Sequence, residues 1–266
     1  MNRDNPINKQ SVVYSIPGMD KSIVQRDLIY KSVDEKNLLL DAYLPPSAHT
    51  GDPLPGVIFI HGGPVAPEQD IKESGQYQSW GKLAAASSLV GFTFNHRYFA
   101  PGMLEQSAQD VVAAIAYIRA HAKTFNLDPN RLCLWTCSGG GQQICFALRE
   151  QPVYIQCMVL YYTLLDLRPI ARHVDVLGET VAHQYSPVVC LQDKPLGFPV
   201  FIARAGLDQQ TLNQTLDSFI TQALQANTNL EVMTHSQGHH GFDIVDDDPR
   251  SQQIIARTLA FIRENV

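Results

Sequence analysis

No stretch of this sequence is apolar for long enough to cross a bilayer. The first ten residues, Met1 to Gln10, are polar and of mixed charge, with no following apolar run of signal-peptide length. Basic residues are in deficit, 20 Lys and Arg against 26 Asp and Glu for a net charge of −6, and they are scattered rather than massed. Nucleic acid and anionic membrane surfaces are therefore poor partners, and the expectation is a soluble, cytoplasmic protein. Cysteine is scarce and odd in number: Cys133, Cys137, Cys145, Cys157 and Cys190 all sit in apolar surroundings and read as buried, reduced thiols. If Leu132 to Trp135 is a strand, Cys133 and Cys137 stand about 13 Å apart, too far to bridge. Histidine at zinc-ligand spacing from them is lacking, which argues against a structural zinc. Also missing are a Gly-Lys-Ser/Thr ending and a G-x-G-x-x-G run, so neither a phosphate loop nor a dinucleotide fingerprint is present. The expected cofactor is none.

What remains is an ordinary globular composition: 266 residues, 45% apolar, enough for one sizeable core and read as a single domain over residues 1–266. Alternation over Ile23 to Tyr30 and Leu38 to Tyr43, with Val33 to Asn37 as a turn, predicts an opening antiparallel hairpin. From Val57 onward, short and largely apolar runs alternate with helical patterns. The runs are Val57 to Ile60, Phe92 to Phe94, Leu132 to Trp135, Cys157 to Leu160, Val200 to Ala203 and Leu230 to Met233. Such strands imply a mainly parallel, eight-stranded sheet covered by helices on both faces, an α/β fold. Between Glu105 and Ala122, Ala108, Val111, Val112, Ile115 and Ile118 read as one helix face; Thr211 to Ala226 and Ser251 to Arg263 repeat the pattern. Thr163 to Gln184 is too long and irregular for a simple crossover and is the candidate lid.

Chemistry enters at Ser138. The apolar run Leu132 to Trp135 passes through Thr136-Cys137-Ser138 straight into Gly139-Gly140-Gly141, ahead of a helix-like segment, Gln142 to Arg149. This is the shape of a nucleophile elbow, a tight strand-to-helix turn that thrusts a serine hydroxyl clear of the backbone. The turn is crowded and wants small residues two before and two after the serine; Gly140 fits, whereas Thr136 stands where a glycine is expected. Taken alone, the run is also compatible with a flexible loop or a phosphate cradle at a helix N-terminus.

Three further segments fall at the C-terminal ends of strands, where open α/β sheets assemble their sites. In Ile60-His61-Gly62-Gly63-Pro64 the glycines let the backbone turn its amides towards a neighbouring loop; Pro64 has no N–H, which makes Gly63 the natural oxyanion donor, Gly62 an assistant and Gly139 the second amide. Ala203-Arg204-Ala205-Gly206-Leu207-Asp208 ends in an acid, and Gly238-His239-His240-Gly241-Phe242 supplies imidazoles. An imidazole must be held in the correct tautomer by a carboxylate before it takes a serine proton, and the order here is Ser, Asp, His. Each segment alone is an ordinary turn or cap; their ordered coincidence points to a catalytic constellation. Asp166 is an alternative acid. A thiol nucleophile at Cys137 is disfavoured, because strand alternation turns its side chain away from that of Ser138.

These residues resemble the α/β-hydrolase superfamily over nearly the whole chain, from Leu38-Leu39-Leu40-Asp41-Ala42-Tyr43-Leu44-Pro45 to the final helix. They are most similar to small bacterial carboxylesterases of the hormone-sensitive-lipase and dienelactone-hydrolase type, with Asn95 to Pro101 and Tyr185-Ser186-Pro187 as landmarks. The resemblance implies Ser138 as nucleophile, His240 rather than His239 as general acid/base, Asp208 as its orienter, and His61 as a structural histidine. Two departures stand out: Thr136 in the elbow, and His-Gly-Gly-Pro in place of His-Gly-Gly-Gly. The latter looks like the loop of acylaminoacyl and prolyl-oligopeptidase-type peptidases, which carry a large gating domain for which this chain has no room. The expected function is hydrolysis of small, short-acyl carboxylic esters. A small acyl-peptide or lactone hydrolase and a catalytically silent ligand-binding protein on the same fold are the alternatives. The expected partner is a small-molecule ester, and oligomeric state stays open, a homodimer included.

Overall fold

The computed structural model describes residues 9–47, 51–171, 177–191 and 195–266. One eight-stranded sheet runs through them: β1 (Ile23–Val33), β2 (Lys36–Leu44), β3 (Leu54–Ile60), β4 (Val90–Phe94), β5 (Leu127–Cys137), β6 (Ile155–Tyr161), β7 (Val200–Ala205) and β8 (Leu230–His235), in spatial order β1-β2-β4-β3-β5-β6-β7-β8. Strand β2 pairs antiparallel with both neighbours, and every other pairing is parallel. Each apolar run expected to be a strand is one, extended by several residues at one or both ends in most cases.

Strand alternation splits the core in two. Leu132 and Leu134 of β5, with Ile58, Ile60, Leu160 and Ile202, face one layer; Cys133, Trp135 and Cys137, with Val57, Phe59, Val159 and Phe201, face the other. Helices cover both sides: α1 (Gly75–Ala86), α2 (Leu104–Ala120), α3 (Cys145–Glu150), α4 (Arg168–Ala171), α5 (Glu179–Gln184), α6 (Pro187–Cys190), α7 (Gln210–Gln225), α8 (Phe242–Val245) and α9 (Pro249–Asn265). Helix α2 buries Leu104, Val111, Ile115 and Ile118 at helical spacing, whereas Val112, expected on the same face, is 44% exposed because it lies about 100° around the axis from Val111. Helix α9 begins two residues before the expected start at Ser251. Pro249 occupies the first turn, and the Asp248 carboxylate accepts the Arg250 and Ser251 amides.

The expected lid lies between β6 and β7. Its described part carries α4 and α5, and residues 172–176 fall outside the described residues. Leu167, Leu177, Ala182 and Tyr185 pack with Tyr98 and Leu104 into a small cluster of their own. All five cysteines are free and buried.

Candidate active site

The elbow forms at the end of β5, the strand paired with β3 on one side and β6 on the other. Ser138 takes φ +51°, a left-handed conformation that side-chain-bearing residues rarely adopt and that marks a site held by its surroundings. The expected helix after it starts late, because Ser138–Ile144 is a tighter 3-10 turn and α3 follows from Cys145. Close approach explains the glycines. A Cβ on Gly139 would run into the Gly63 carbonyl, and one on Gly140 into the Thr136 hydroxyl and, at 2.8 Å, the His61 carbonyl. The elbow threonine is thereby explained: its hydroxyl fills the room that Gly140 leaves. That hydroxyl is fully buried and has no hydrogen-bond partner among the described residues.

Around Ser138 the structure gathers the residues expected from sequence. Its Oγ lies 2.9 Å from Nε2 of His240, and His240 Nδ1 lies 2.7 Å from Asp208 Oδ2. The carboxylate assigns the proton to Nδ1, leaving the Nε2 lone pair to accept from the serine hydroxyl. Asp208 is held in turn, its Oδ1 accepting the Gln209 amide at 2.7 Å. The loops that carry acid and base are stitched together: the Gly206 and Gly238 amides both donate to the His235 carbonyl, and Leu207 N–H donates to Gly238. His239, the neighbouring candidate base, is turned elsewhere and bonds Asp246 at 2.9 Å. Asp166, the alternative acid, is committed to Arg168 at 2.7 and 2.9 Å and to the Ser186 hydroxyl at 3.2 Å, away from His240.

The loop after β3 lies against the elbow. A Cβ on Gly62 would stand 2.9 Å from Ser138 Cβ, and one on Gly139 would stand 3.2 Å from the Gly63 nitrogen, so the backbone of Gly62 and Gly63 packs directly against the elbow at Ser138 and Gly139. Gly62, expected to assist with its amide, departs from that expectation: its N–H already donates to the Tyr77 hydroxyl at 3.3 Å. Behind the loop, His61 stacks on His96 with ring centroids 3.6 Å apart, and the Ser107 hydroxyl sits 2.7 Å from His96 Nδ1. Burial holds both imidazoles in their neutral form, His61 pushed down to about 4 and His96 well below its ordinary value.

A cleft of about 250 Å³ opens over Ser138 and His240. Its apolar walls include Val65, Ile71, Tyr77, Tyr162, Ile244 and Val245; among the described residues, nothing from α4 or α5 lines it. Sequence reasoning assigned no role to Tyr77, Tyr162, Asp243 or His96. Tyr162 sets its ring edge-on to His240, with centroids 4.8 Å apart, and donates its hydroxyl to Asp243 at 2.6 Å. The other Asp243 oxygen accepts from Gln76 at 2.9 Å and from the Trp80 indole at 2.8 Å; burial pushes this carboxyl above its usual range. Asp243 directly follows the His-Gly-Phe run and His96 lies in the Asn95 to Pro101 landmark, so both were within sight of a motif; nothing in the sequence signals Tyr77 or Tyr162. One group of carboxylates among the described residues, Asp27, Asp41 and Glu73, is close enough to share a metal ion. Two cations already sit among them: the buried Lys72 ammonium at 2.8, 3.3 and 3.1 Å, and Arg26 at 3.3 Å from Asp41 and 2.6 Å from Glu73.

The sheet order, the elbow after β5 and the placement of acid and base on the loops after β7 and β8 define the α/β-hydrolase fold. Residues 40–151 match the BD-FAE family model. Esterase 2 of the planctomycete Thermogutta terrifontis superposes at TM-score 0.72 in its propionate-bound form, with 19% identity and coverage of 93% of this chain and 96% of that one. Its butyrate-bound form gives TM-score 0.72 at 20% identity over 93% and 95% of the two chains, and the form phosphoramylated by tabun gives 0.70 at 18% identity over 94% of each. Carboxylesterase 3B of Mus musculus is 28% identical over 118 residues, 41% of this chain but only 20% of the mouse protein.

Proposed function

We propose that this chain is a serine hydrolase that cleaves small carboxylic esters with short acyl groups through an acyl-enzyme on Ser138. The observation that carries the reading is the unbroken hydrogen-bond chain from Ser138 Oγ through His240 to Asp208. Ser138 attacks the acyl carbon while Nε2 of His240 takes its proton, and Asp208 stabilises the imidazolium that forms. The Gly63 and Gly139 amides hold the oxyanion, with Gly62 acting through its backbone position rather than through its own N–H. His240 then protonates the leaving alcohol, water takes that place, and the same imidazole activates it to release the acid. Every group needed is a side chain or amide of this chain.

The short-acyl preference is supported by the size of the cleft, about 250 Å³, and by the apolar side chains of Ile71, Ile244 and Val245 in its wall. The neighbouring esterase whose structures hold propionate and butyrate, and that is phosphorylated by organophosphates, is of the same fold. The silent-binder alternative rested on Thr136, and the accommodation of its hydroxyl by Gly140 removes that support. Intact-mass analysis after treatment with a fluorophosphonate tests the reading. One adduct is expected on the wild type, mapping to Ser138 and absent from Ser138→Ala; a folded wild type without adduct overturns it. Rates on an aryl acetate, an aryl decanoate, an acyl-amino-acid anilide and a lactone then test the substrate class, with the acetate expected to be fastest.

A further inference from the structure

The two halves of the oxyanion hole come from different strands. Gly63 follows β3 and Gly139 follows β5, and the last residues these strands pair are Ile60 and Thr136. Beyond that pair no ladder bond sets the distance between the two amides, although oxyanion stabilisation depends on donors already in place before charge develops. The Tyr77 side chain spans the gap. The Tyr77 hydroxyl accepts the Gly62 N–H at 3.3 Å and exchanges a hydrogen bond with Cys137 Sγ at 3.2 Å. Gly62 is the residue before one donor, and Cys137 lies two residues before the other, on the far side of the nucleophile.

Tyr77 is itself a fixed point. It is 4% exposed, and its ring meets His61 edge-on at 6.3 Å and Trp135 at 6.4 Å. Helix α1, which carries it, is tied down by the Val12 amide donating to the Ser79 hydroxyl at 2.9 Å and by Trp80 donating to Asp243. We propose that Tyr77 is a positioning residue for ester hydrolysis, its hydroxyl clamping the 61–64 loop to the elbow so that the Gly63 and Gly139 amides stand at a fixed spacing. The inference rests on Ser138 being the nucleophile and those two amides the oxyanion donors. It also gives Cys137 a use: burial pushes its thiol up to about 12, so beside the nucleophile it stays a neutral hydrogen-bonding partner and does not compete as a thiolate.

Tyr77→Phe isolates the clamp, because it keeps the ring that forms the cleft wall and removes only the hydroxyl. The measurements are kcat and KM on an aryl acetate and the second-order rate of fluorophosphonate labelling, on wild type and variant, with thermal unfolding alongside. Loss of a whole oxyanion donor costs about 10²–10³ in kcat, and a donor pair set loose rather than deleted is expected to cost about tenfold, in kcat and labelling rate alike, with KM within about twofold. Unchanged kcat, or a raised KM with kcat intact, reduces Tyr77 to a wall and overturns the inference while the hydrolase reading stands. A wild type that neither labels nor hydrolyses esters sinks both. If Tyr77→Phe does not fold, Cys137→Ala cuts the same bridge from the elbow side: kcat lowered about threefold or more supports the clamp, and an unchanged kcat overturns it.

Discussion

The two sides of the cleft are built to different degrees of burial. His240 leaves 41% of its side chain exposed and is held by one carboxylate, whereas His61, His96 and Tyr77 across the cleft are at most 4% exposed and sit in a mesh of stacked rings and shared hydrogen bonds. The division follows from what each side would have to do. A base that takes a proton from serine and delivers it to a leaving group has to reach substrate and water, and it needs one tautomer rather than one immovable position. Amides that meet a developing oxyanion act best when no reorganisation is left to make, which calls for a dry and rigid support. Function on one side and fold on the other are thus separable by mutation.

The sharpest break of this comparison comes on the exposed side. His240→Ala is expected to lower kcat for an aryl acetate by about 10⁴–10⁶, in line with the loss of a triad member, while the midpoint of thermal unfolding stays within a few degrees of wild type. A large fall in stability with this single change would show that the triad carries fold as well as chemistry, and the comparison would fail.

On the buried side the expected effect is on stability and depends on pH. His61 is pushed from 6.5 down to about 4 by burial, and His96 is likewise held well below its ordinary value by burial and by His61 beside it. Because the folded value lies below the unfolded one, the contribution is fully present above pH 6.5 and is lost as pH falls through about 4. For His61 alone it is worth about 3 kcal/mol, and His96 adds to it. Urea unfolding at about pH 7.5 and about pH 4 measures the difference, and its size should shrink in His61→Gln. A stability that stays flat over this window would mean that the stacked pair is not held neutral.

The same contrast decides what could be read from the sequence. Ser138, Asp208 and His240 are each announced by a strand end followed by small residues, so a pattern of local signals, ordered along the chain, was enough to bring them together before any coordinates. The first two strands were legible from alternation and the inner ones from apolar runs such as Val57 to Ile60 and Val200 to Ala203, which leave little alternative to burial on both faces. Helix α1 was not legible: it buries Tyr77, Ser79, Trp80, Gly81 and Leu83 together, a near-continuous run in which glycine and serine mask the helical period. Gly81 is there because a Cβ would collide with the Tyr43 ring, a tertiary reason that no local pattern can carry. Tyr77, Tyr162 and Asp243 were invisible for the same cause. Their partners include side chains 60, 81 and 167 residues away, and each is a single residue type without a spacing to betray it.

The smallest effect sits where the two sides meet, in the packing of Thr136 on Gly140. Gly140→Ala brings a methyl group into the Thr136 hydroxyl and the His61 carbonyl, and overpacking of this kind costs about 1–3 kcal/mol. Thr136→Ala alone should be close to neutral, within about 1 kcal/mol, because it removes a buried hydroxyl that has no partner among the described residues while also losing a packed methyl. Combined, Thr136→Ala with Gly140→Ala should recover part of what Gly140→Ala loses, because the hydroxyl is gone and only the His61 and Ile60 carbonyl contacts are left to be relieved by a shift of the loop. A double-mutant cycle on denaturant midpoints reads the coupling, expected at about 0.5–2 kcal/mol in the rescuing direction. Strict additivity would mean that the elbow relaxes around either side chain independently. The threonine would then be no compensation for the glycine, and the rigid support assigned to the oxyanion side would not extend through the elbow to the serine.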